Sequence, residues 1–150
     1  MARAVALSHE HMEAGSGGPF GAVVARGGVI VAEGWNQVTS SNDPTAHAEM
    51  VAIRRACEAL GRFDLRGCEI YTSCEPCPMC LGAIHWARLD RVYYGNDRAD
   101  AAAIGFDDEL LYRELGLPLG DRATPMHRLS AEHARGAFDA WAAKPDKVHY

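Results

Sequence analysis

The sequence predicts an α/β domain in which helices cover a single sheet. Apolar, strand-like runs alternate along the chain with segments of helical spacing, and turn signals separate them. A chain of 150 residues is long enough to bury one sizeable core. The composition, 48% hydrophobic and 23% charged residues, is that of an ordinary globular domain. We therefore expect one domain over residues 1–150.

The N-terminal part of the chain is predicted to form a helix, a β-hairpin and a second helix. These elements are a helix over 2–15, strands over 20–26 and 29–35, a polar loop over 36–45 and a helix over 46–60. Gly27-Gly28 between the two apolar runs is typical of a two-residue hairpin turn. Gly61 follows the second helix as a stop signal.

The C-terminal part is predicted to continue the alternation of strands and helices. These elements are a strand over 69–73, a helix over 77–87, a strand over 91–95, an edge strand over 126–129 and a helix over 132–142. The last helix is amphipathic, and we expect Phe138 and Trp141 to anchor it.

Charge and hydropathy exclude some classes of function. The net charge is −5 and the pI is near 5.8, and the densest basic patch is Arg54-Arg55. Proteins that bind long nucleic acids rely on clustered Lys and Arg, so we expect no such partner. No stretch approaches the roughly 18 apolar residues that span a bilayer, and the N-terminus has no signal-peptide pattern. We therefore expect no membrane association and a cytoplasmic location.

Two short motifs, 30 residues apart, carry the chemistry. They are His47-Ala48-Glu49 and Pro76-Cys77-Pro78-Met79-Cys80. One histidine and two cysteines suit a Zn²⁺ ion with one position left open for water. A glutamate two residues from the histidine is a candidate general acid and base beside that water. This arrangement is the signature of zinc-dependent nucleobase deaminases, and it predicts one zinc per chain held by His47, Cys77 and Cys80.

Other metal or redox sites remain alternatives. A lone CxxC pair is often a structural zinc site or a redox pair, and Cys74-x-x-Cys77-x-x-Cys80 is similar to part of an iron–sulfur ligand run. Neither alternative accounts for Glu49. We expect Cys57, Cys68 and Cys74 to be reduced thiols rather than ligands.

Longer segments make the similarity more specific. They are Gly17-Gly18-Pro19-Phe20-Gly21-Ala22, Pro44-Thr45-Ala46-His47-Ala48-Glu49, the run from Tyr71 to Ile84, Gly105-Phe106-Asp107-Asp108 and the terminal Tyr150. With these segments the chain resembles the guanine deaminases of the cytidine deaminase superfamily. The resemblance covers nearly the whole chain. The zinc motifs identify only the superfamily, whereas Gly105–Asp108 and Tyr150 indicate the guanine branch.

The resemblance implies a fold, an activity and an assembly. The implied fold is a three-layer α/β/α sandwich around a five-stranded mixed sheet. The implied activity is zinc-dependent hydrolysis of guanine to xanthine and ammonia, with Glu49 cycling protons. The implied assembly is a homodimer in which the C-terminal segment, about 130–150, is exchanged between subunits and closes the site.

The resemblance also assigns roles to residues outside the zinc motifs. Asn36 and Phe20 would contact the purine, Trp86 would wall the pocket, Asp108 would handle the amino group and Tyr150 would cap the site. An amide offers both a donor and an acceptor to a purine edge, and an aromatic face stacks on a flat base. Plain core packing is the alternative for Phe20 and Trp86.

One departure from the family pattern leaves the substrate open. His85 stands where this branch usually has a tyrosine, on the helix that carries the two cysteines. Guanosine, ammeline, cytosine and adenosine in tRNA are therefore alternative substrates. A non-catalytic metal-binding module is an alternative of a different class.

Overall fold

The computed structural model describes residues 1–149. Its strands are β1 (Gly21–Arg26), β2 (Val29–Trp35), β3 (Glu69–Cys74) and β4 (Arg91–Asn96). Its α-helices are α1 (Ala2–Glu13), α2 (Val38–Ser41), α3 (Ala48–Leu60), α4 (Pro78–Trp86), α5 (Arg98–Ala103), α6 (Glu109–Gly116) and α7 (Ala131–Ala143). The predicted alternation of strands and helices is confirmed, and the fold is α/β.

The four strands form one mixed sheet in the order β2-β1-β3-β4. Strand β1 pairs antiparallel with β2 and with β3, and β3 pairs parallel with β4. The β1–β2 hairpin turns at Gly27 and Gly28, whose φ angles are +56° and +81°. Two consecutive positive φ angles require residues without a Cβ clash, which explains the Gly-Gly pair.

The prediction of five strands is wrong for the residues that the structure describes. Residues 126–129, expected to form an edge strand, have no regular structure. Pro125 directly before them has no N–H to donate to a ladder. Met126 and Leu129 are 55% and 80% exposed within the chain, so the segment lacks the buried face of a strand.

The two faces of the sheet bury two different clusters. On one face, Ala4 and Leu7 of α1 pack on Val23. On the other face, residues of α3 and α4 pack on Ala22, Val24 and Ile70. Successive residues of a strand point to opposite faces of the sheet. Val23 therefore faces α1, whereas its neighbours Ala22 and Val24 face α3 and α4. The sheet therefore has helices on both sides.

Helix α3 lies unusually close to the sheet at Gly34 of β2. A Cβ atom at Gly34 would be 2.3 Å from the carbonyl oxygen of Ala48 and 2.6 Å from the amide nitrogen of Ala52. Only glycine permits this approach of two backbones. The contact fixes the first turn of α3, and with it the residue that precedes the helix, His47.

Contacts divide the chain into two compact units, Met1–Asp108 and Glu109–Tyr150. The first unit contains the sheet and α1–α5. In the second unit, α7 agrees with the predicted C-terminal helix, but Phe138 and Trp141 are 78% and 41% exposed rather than buried anchors. Exchange of this segment between subunits stays a prediction.

Helix α5 was not anticipated, although its sequence signal is readable. Asp97 accepts hydrogen bonds from the amides of Ala99 and Asp100, and the Asp100 side chain accepts one from the amide of Asp97. This reciprocal arrangement is a capping box built from two aspartates.

No helix of the described residues is long and apolar enough to cross a membrane.

Candidate active site

The structure brings His47, Cys77 and Cys80 together in the first unit. Nδ1 of His47 lies 3.6 Å from Sγ of Cys77 and 3.6 Å from Sγ of Cys80. The three ligand atoms all lie within 4.8 Å of one another. His47 and Cys77 are half-buried and Cys80 is fully buried.

The spacing of this group fits a tetrahedral zinc ion. Zinc binds histidine nitrogen at about 2.0–2.1 Å and cysteine sulfur at about 2.3 Å, which places a nitrogen and a sulfur about 3.5–3.6 Å apart at a tetrahedral angle. Both distances from His47 match this value. One imidazole and two thiols are also the donor types that zinc prefers. The group can therefore hold one zinc ion and leaves a fourth position for a non-protein ligand.

Two helix N-termini supply the ligands. His47 is the N-cap of α3 and Cys77 is the N-cap of α4, each with extended backbone geometry. Pro78 occupies the first turn of α4, where an amide hydrogen has no helical partner. Cys80 follows Cys77 by three residues and so lies on the same side of the helix. The positive ends of both helices favour thiolate at this point.

The thiols and the imidazole shift each other's protonation. The hydrogen bond from Cys80, together with that from His47, lowers the pKa of Cys77 to about 4. The same hydrogen bond between the two thiols raises the pKa of Cys80, and burial adds to the effect. The contact with Cys77 raises the pKa of His47. One thiolate is thus available at neutral pH before any metal binds.

Glu49 lies beside this group in the interior. It is 6% exposed, and its Oε1 accepts a hydrogen bond of 2.9 Å from Oγ1 of Thr72. Its Oε2 accepts a hydrogen bond from Sγ of Cys80 at a distance of 3.4 Å. Burial raises the pKa of Glu49 above that of an ordinary glutamate. A raised carboxyl pKa brings proton exchange closer to neutral pH, as a general acid and base requires.

Asn36 and Phe20, which we expect to contact the substrate, are joined by a backbone hydrogen bond. The backbone N–H of Asn36 donates to the carbonyl of Phe20 at 3.0 Å, and Asn36 is 8% exposed. Its Oδ1 accepts a hydrogen bond from the amide of Val38, so the NH₂ group is turned away from that contact. The Phe20 ring meets the Phe106 ring edge-on, with centroids 4.9 Å apart.

The remaining predicted site residues are Asp108, Trp86 and Tyr150. Asp108 is half-buried, and burial followed by the charge of Cys77 raises its pKa. Trp86 ends α4 and is 68% exposed within the chain, which argues against plain core packing. Tyr150 lies outside the described residues.

Cys74 is not part of the group of three. Its Sγ donates to the carbonyl of Asp97 at 3.6 Å, and burial raises its pKa to about 11. The three ligand atoms that lie within 4.8 Å of one another belong to His47, Cys77 and Cys80, and Sγ of Cys74 is not among them. This placement does not support the iron–sulfur alternative.

The zinc-binding region of cytidine and deoxycytidylate deaminases matches residues 1–96 of the chain. The matched residues include His47, Glu49, Cys77 and Cys80. The chain belongs to this family. Membership accounts for the ligand geometry and for the buried glutamate next to it, and it disfavours the non-catalytic metal-binding module.

Relatives of this deaminase-family chain extend the match beyond residue 96. The guanine deaminase of Bacillus subtilis is 51% identical over 148 residues, 99% of this chain and 95% of that protein. The X-ray structure of guanine deaminase from Bacillus subtilis matches with a TM-score of 0.96 at 51% identity, over 99% of this chain and 95% of that one. A tRNA-specific adenosine deaminase of Agrobacterium fabrum is 45% identical over 86 residues, 57% of each protein. The resemblance predicted from the sequence is confirmed.

Two site residues of this deaminase-family chain were not anticipated from the sequence. Thr72 contacts Glu49, and Phe106 contacts Phe20. Phe106 belongs to a motif already singled out, Gly105–Asp108, but its ring contact has no sequence signal. Thr72 was identified as part of the predicted strand over 69–73 and of the run from Tyr71 to Ile84 that resembles the family. Its contact with a residue 23 positions earlier depends on the tertiary fold.

Proposed function

We propose that this protein is a zinc-dependent guanine deaminase that converts guanine and water to xanthine and ammonia. The observation that carries the proposal is the extent of the similarity to the Bacillus subtilis guanine deaminase. It covers 99% of this chain and so continues past residue 96, where the match to the zinc-binding region ends. The similarity to the Agrobacterium fabrum tRNA-specific adenosine deaminase covers 57% of this chain. This difference in coverage favours guanine over adenosine in tRNA as the substrate.

His47, Cys77 and Cys80 would hold the zinc ion, with Glu49 as the group that moves protons. Zinc bound there would supply Lewis-acid chemistry that lowers the pKa of water. Glu49 takes a proton from the water as its oxygen bonds to the ring carbon that carries the amino group, and passes that proton to the adjacent ring nitrogen. Glu49 then takes the second proton from the resulting hydroxyl and gives it to the amine as the C–N bond breaks, so that ammonia leaves and the carbonyl of xanthine forms. The buried position of Glu49 supports this cycle because a carboxyl with a raised pKa both accepts and releases protons near neutral pH.

The base would be bound by five residues outside the zinc motifs, Asn36, Phe20, Asp108, Trp86 and Tyr150. The NH₂ of Asn36 is free of the contact with Val38 and suits an acceptor on the purine edge. The Phe20 ring, braced edge-on by Phe106, offers a face for stacking. Asp108, with its raised pKa, would contact the amino group, Trp86 would wall the pocket and Tyr150 would cap it.

An ammonia-release assay over a panel of substrates tests the proposed function. The panel contains guanine, guanosine, ammeline, cytosine and a tRNA bearing the target adenosine. We expect guanine to be the preferred substrate by kcat/KM. Preference for another member would contradict the guanine assignment, and His85 is the departure that makes the comparison necessary. The Glu49→Gln variant, purified identically, is the blank for contaminating deaminases.

The same proposal includes a homodimer with exchanged C-terminal segments, in a reducing cytoplasm. All five cysteines are free thiols, which supports a reducing compartment. The exposed Phe138 and Trp141 on α7 support a partner surface on the C-terminal segment.

Complementation between two inactive variants tests the exchange. One variant is Glu49→Gln with an intact C-terminus, and the other retains Glu49 but ends before residue 130. If each site combines Glu49 of one subunit with the tail of the other, refolding the two together restores about a quarter of wild-type activity. This fraction follows because half of the dimers are mixed and one of their two sites is complete. Zero recovery from dimers shown to be mixed would contradict the exchange.

A further inference from the structure

Thr72 stands out among the buried polar residues because its hydroxyl meets the carboxylate of Glu49. Thr72 is 1% exposed, and the distance between its Oγ1 and Oε1 of Glu49 is 2.9 Å. The hydroxyl donates and the carboxylate accepts. A hydrogen bond to a charged acceptor in a dry interior is among the stronger side-chain contacts.

The backbone of Thr72 is held on both sides. Strand β3 lies between β1 and β4, and Thr72 is paired with Ala22 on one side and Tyr94 on the other. The β-branched side chain adds a stiff χ1 angle. The hydroxyl is therefore a fixed point against which the longer, more flexible glutamate side chain can be oriented.

The carboxylate of Glu49 has a second, longer side-chain contact. Sγ of Cys80 lies 3.4 Å from Oε2 of Glu49, whereas Oγ1 of Thr72 lies 2.9 Å from Oε1. A hydroxyl is also a stronger donor than a thiol. Of the two side-chain donors that the structure gives Glu49, Thr72 is therefore the one that fixes the carboxylate more firmly.

We infer that Thr72 is a positioning residue that orients the carboxylate of Glu49 for proton transfer. The kinetic test of this inference rests on the proposed function, whereas the crystallographic test does not. The hydroxyl of Thr72 hydrogen-bonds the Glu49 carboxylate, and Thr72 acts through that carboxylate. Its loss should slow the proton-transfer steps without weakening substrate binding to the same degree.

Two substitutions of Thr72 distinguish its effect on the orientation of Glu49 from its contribution to core packing. Thr72→Val keeps the branched shape and removes the hydroxyl, whereas Thr72→Ser keeps the hydroxyl and removes the methyl group. We expect Thr72→Val to lower kcat about 10- to 100-fold, with KM changed by less than about threefold and the zinc content unchanged. We expect Thr72→Ser to recover most of kcat. Ser8→Ala is the matched control, because Ser8 is another buried hydroxyl and donates to the carbonyl of Val5, within the helix on the opposite face of the sheet.

Crystal structures of the two variants provide a readout that does not depend on turnover. In Thr72→Val the Glu49 carboxylate should leave its wild-type position or become disordered, and in Thr72→Ser it should keep that position. An unmoved carboxylate with wild-type kcat in Thr72→Val would overturn the inference. Equal losses of kcat and melting temperature in both variants would also overturn it, since packing alone would then explain the effect. If the wild type fails to deaminate guanine, the proposed function fails, and the carboxylate position still decides the role of Thr72.

Discussion

Nδ1 of His47 lies 3.6 Å from Sγ of Cys77, although 30 residues separate them in the chain. The contact exists because α3 and α4 begin at the same place beside the sheet. Helix α3 is fixed by its close approach to β2 at Gly34, and α4 follows directly after β3. A metal ion held here would therefore link two parts of the fold that are distant in sequence, and its binding energy would add to the stability of the folded state.

Cys77→Ser should abolish tight zinc binding. Loss of one of three protein ligands should weaken zinc affinity by more than about 100-fold, since even outer contacts to a ligand are worth about 10- to 100-fold. Zinc content by mass spectrometry should fall from about one per chain to a small fraction. Cys57→Ser is the control, because Cys57 is also a half-buried thiol but contacts the carbonyl of Phe63. Wild-type zinc content in Cys77→Ser, or equal loss in both variants, would contradict the ligand assignment.

Glu33→Gln should destabilise the protein in a pH-dependent way. The guanidinium of Arg3 hydrogen-bonds the carboxylate at 2.8 Å and lowers the pKa of Glu33 below its ordinary value of 4.5. A lowered folded pKa gives stability that is fully present above about pH 4.5 and is lost as the pH falls through the folded pKa. Both side chains are about one-third exposed, so the effect should stay below about 1 kcal/mol, or about 3 °C in melting temperature.

Thermal melts of wild type and Glu33→Gln between pH 3 and pH 7 check this prediction. The gap in melting temperature should be largest at neutral pH and should close toward pH 3. Glu58→Gln removes the same charge from an exposed position of α3 and serves as the control. A gap that widens on acidification would have the wrong sign for a lowered pKa.

Asn36→Asp should impair substrate binding while preserving the fold. Aspartate keeps the oxygen that accepts from the amide of Val38 but loses the NH₂ group proposed to face the purine. We expect KM for guanine to rise by about tenfold or more, since a buried polar contact is replaced by an unpaired one. Asn42→Asp, a similar change at an exposed loop position, should leave KM unaltered. Equal KM values for the two variants would argue against the contact.

The chemistry of this protein was more predictable from its sequence than the full extent of its sheet. The zinc motifs depend on short spacings, Cys77 to Cys80 and His47 to Glu49, so they could be interpreted from local helix geometry alone. The hairpin at Gly27-Gly28 was predictable for the same reason. The resemblance implied a five-stranded sheet, and the segment 126–129 was predicted as its edge strand. A strand also requires a partner ladder, which a short segment does not reveal.

Tertiary contacts were the least predictable part of the site. Thr72 reaches Glu49 only because β3 is central and α3 packs across it. Nothing near Thr72 in the sequence signals that contact. The Phe20–Phe106 contact likewise joins a loop near the start of β1 to a loop 86 residues later, and no periodicity encodes such a pair.

We propose that Glu49 moves protons beside a zinc ion without binding it. The most direct test measures ammonia release from guanine and zinc content together in Glu49→Gln, with Glu58→Gln as the control on the same helix. We expect a loss of kcat of about 10²- to 10⁴-fold in Glu49→Gln, with about one zinc per chain and a wild-type melting profile. Turnover near the wild-type rate in zinc-loaded Glu49→Gln would contradict it.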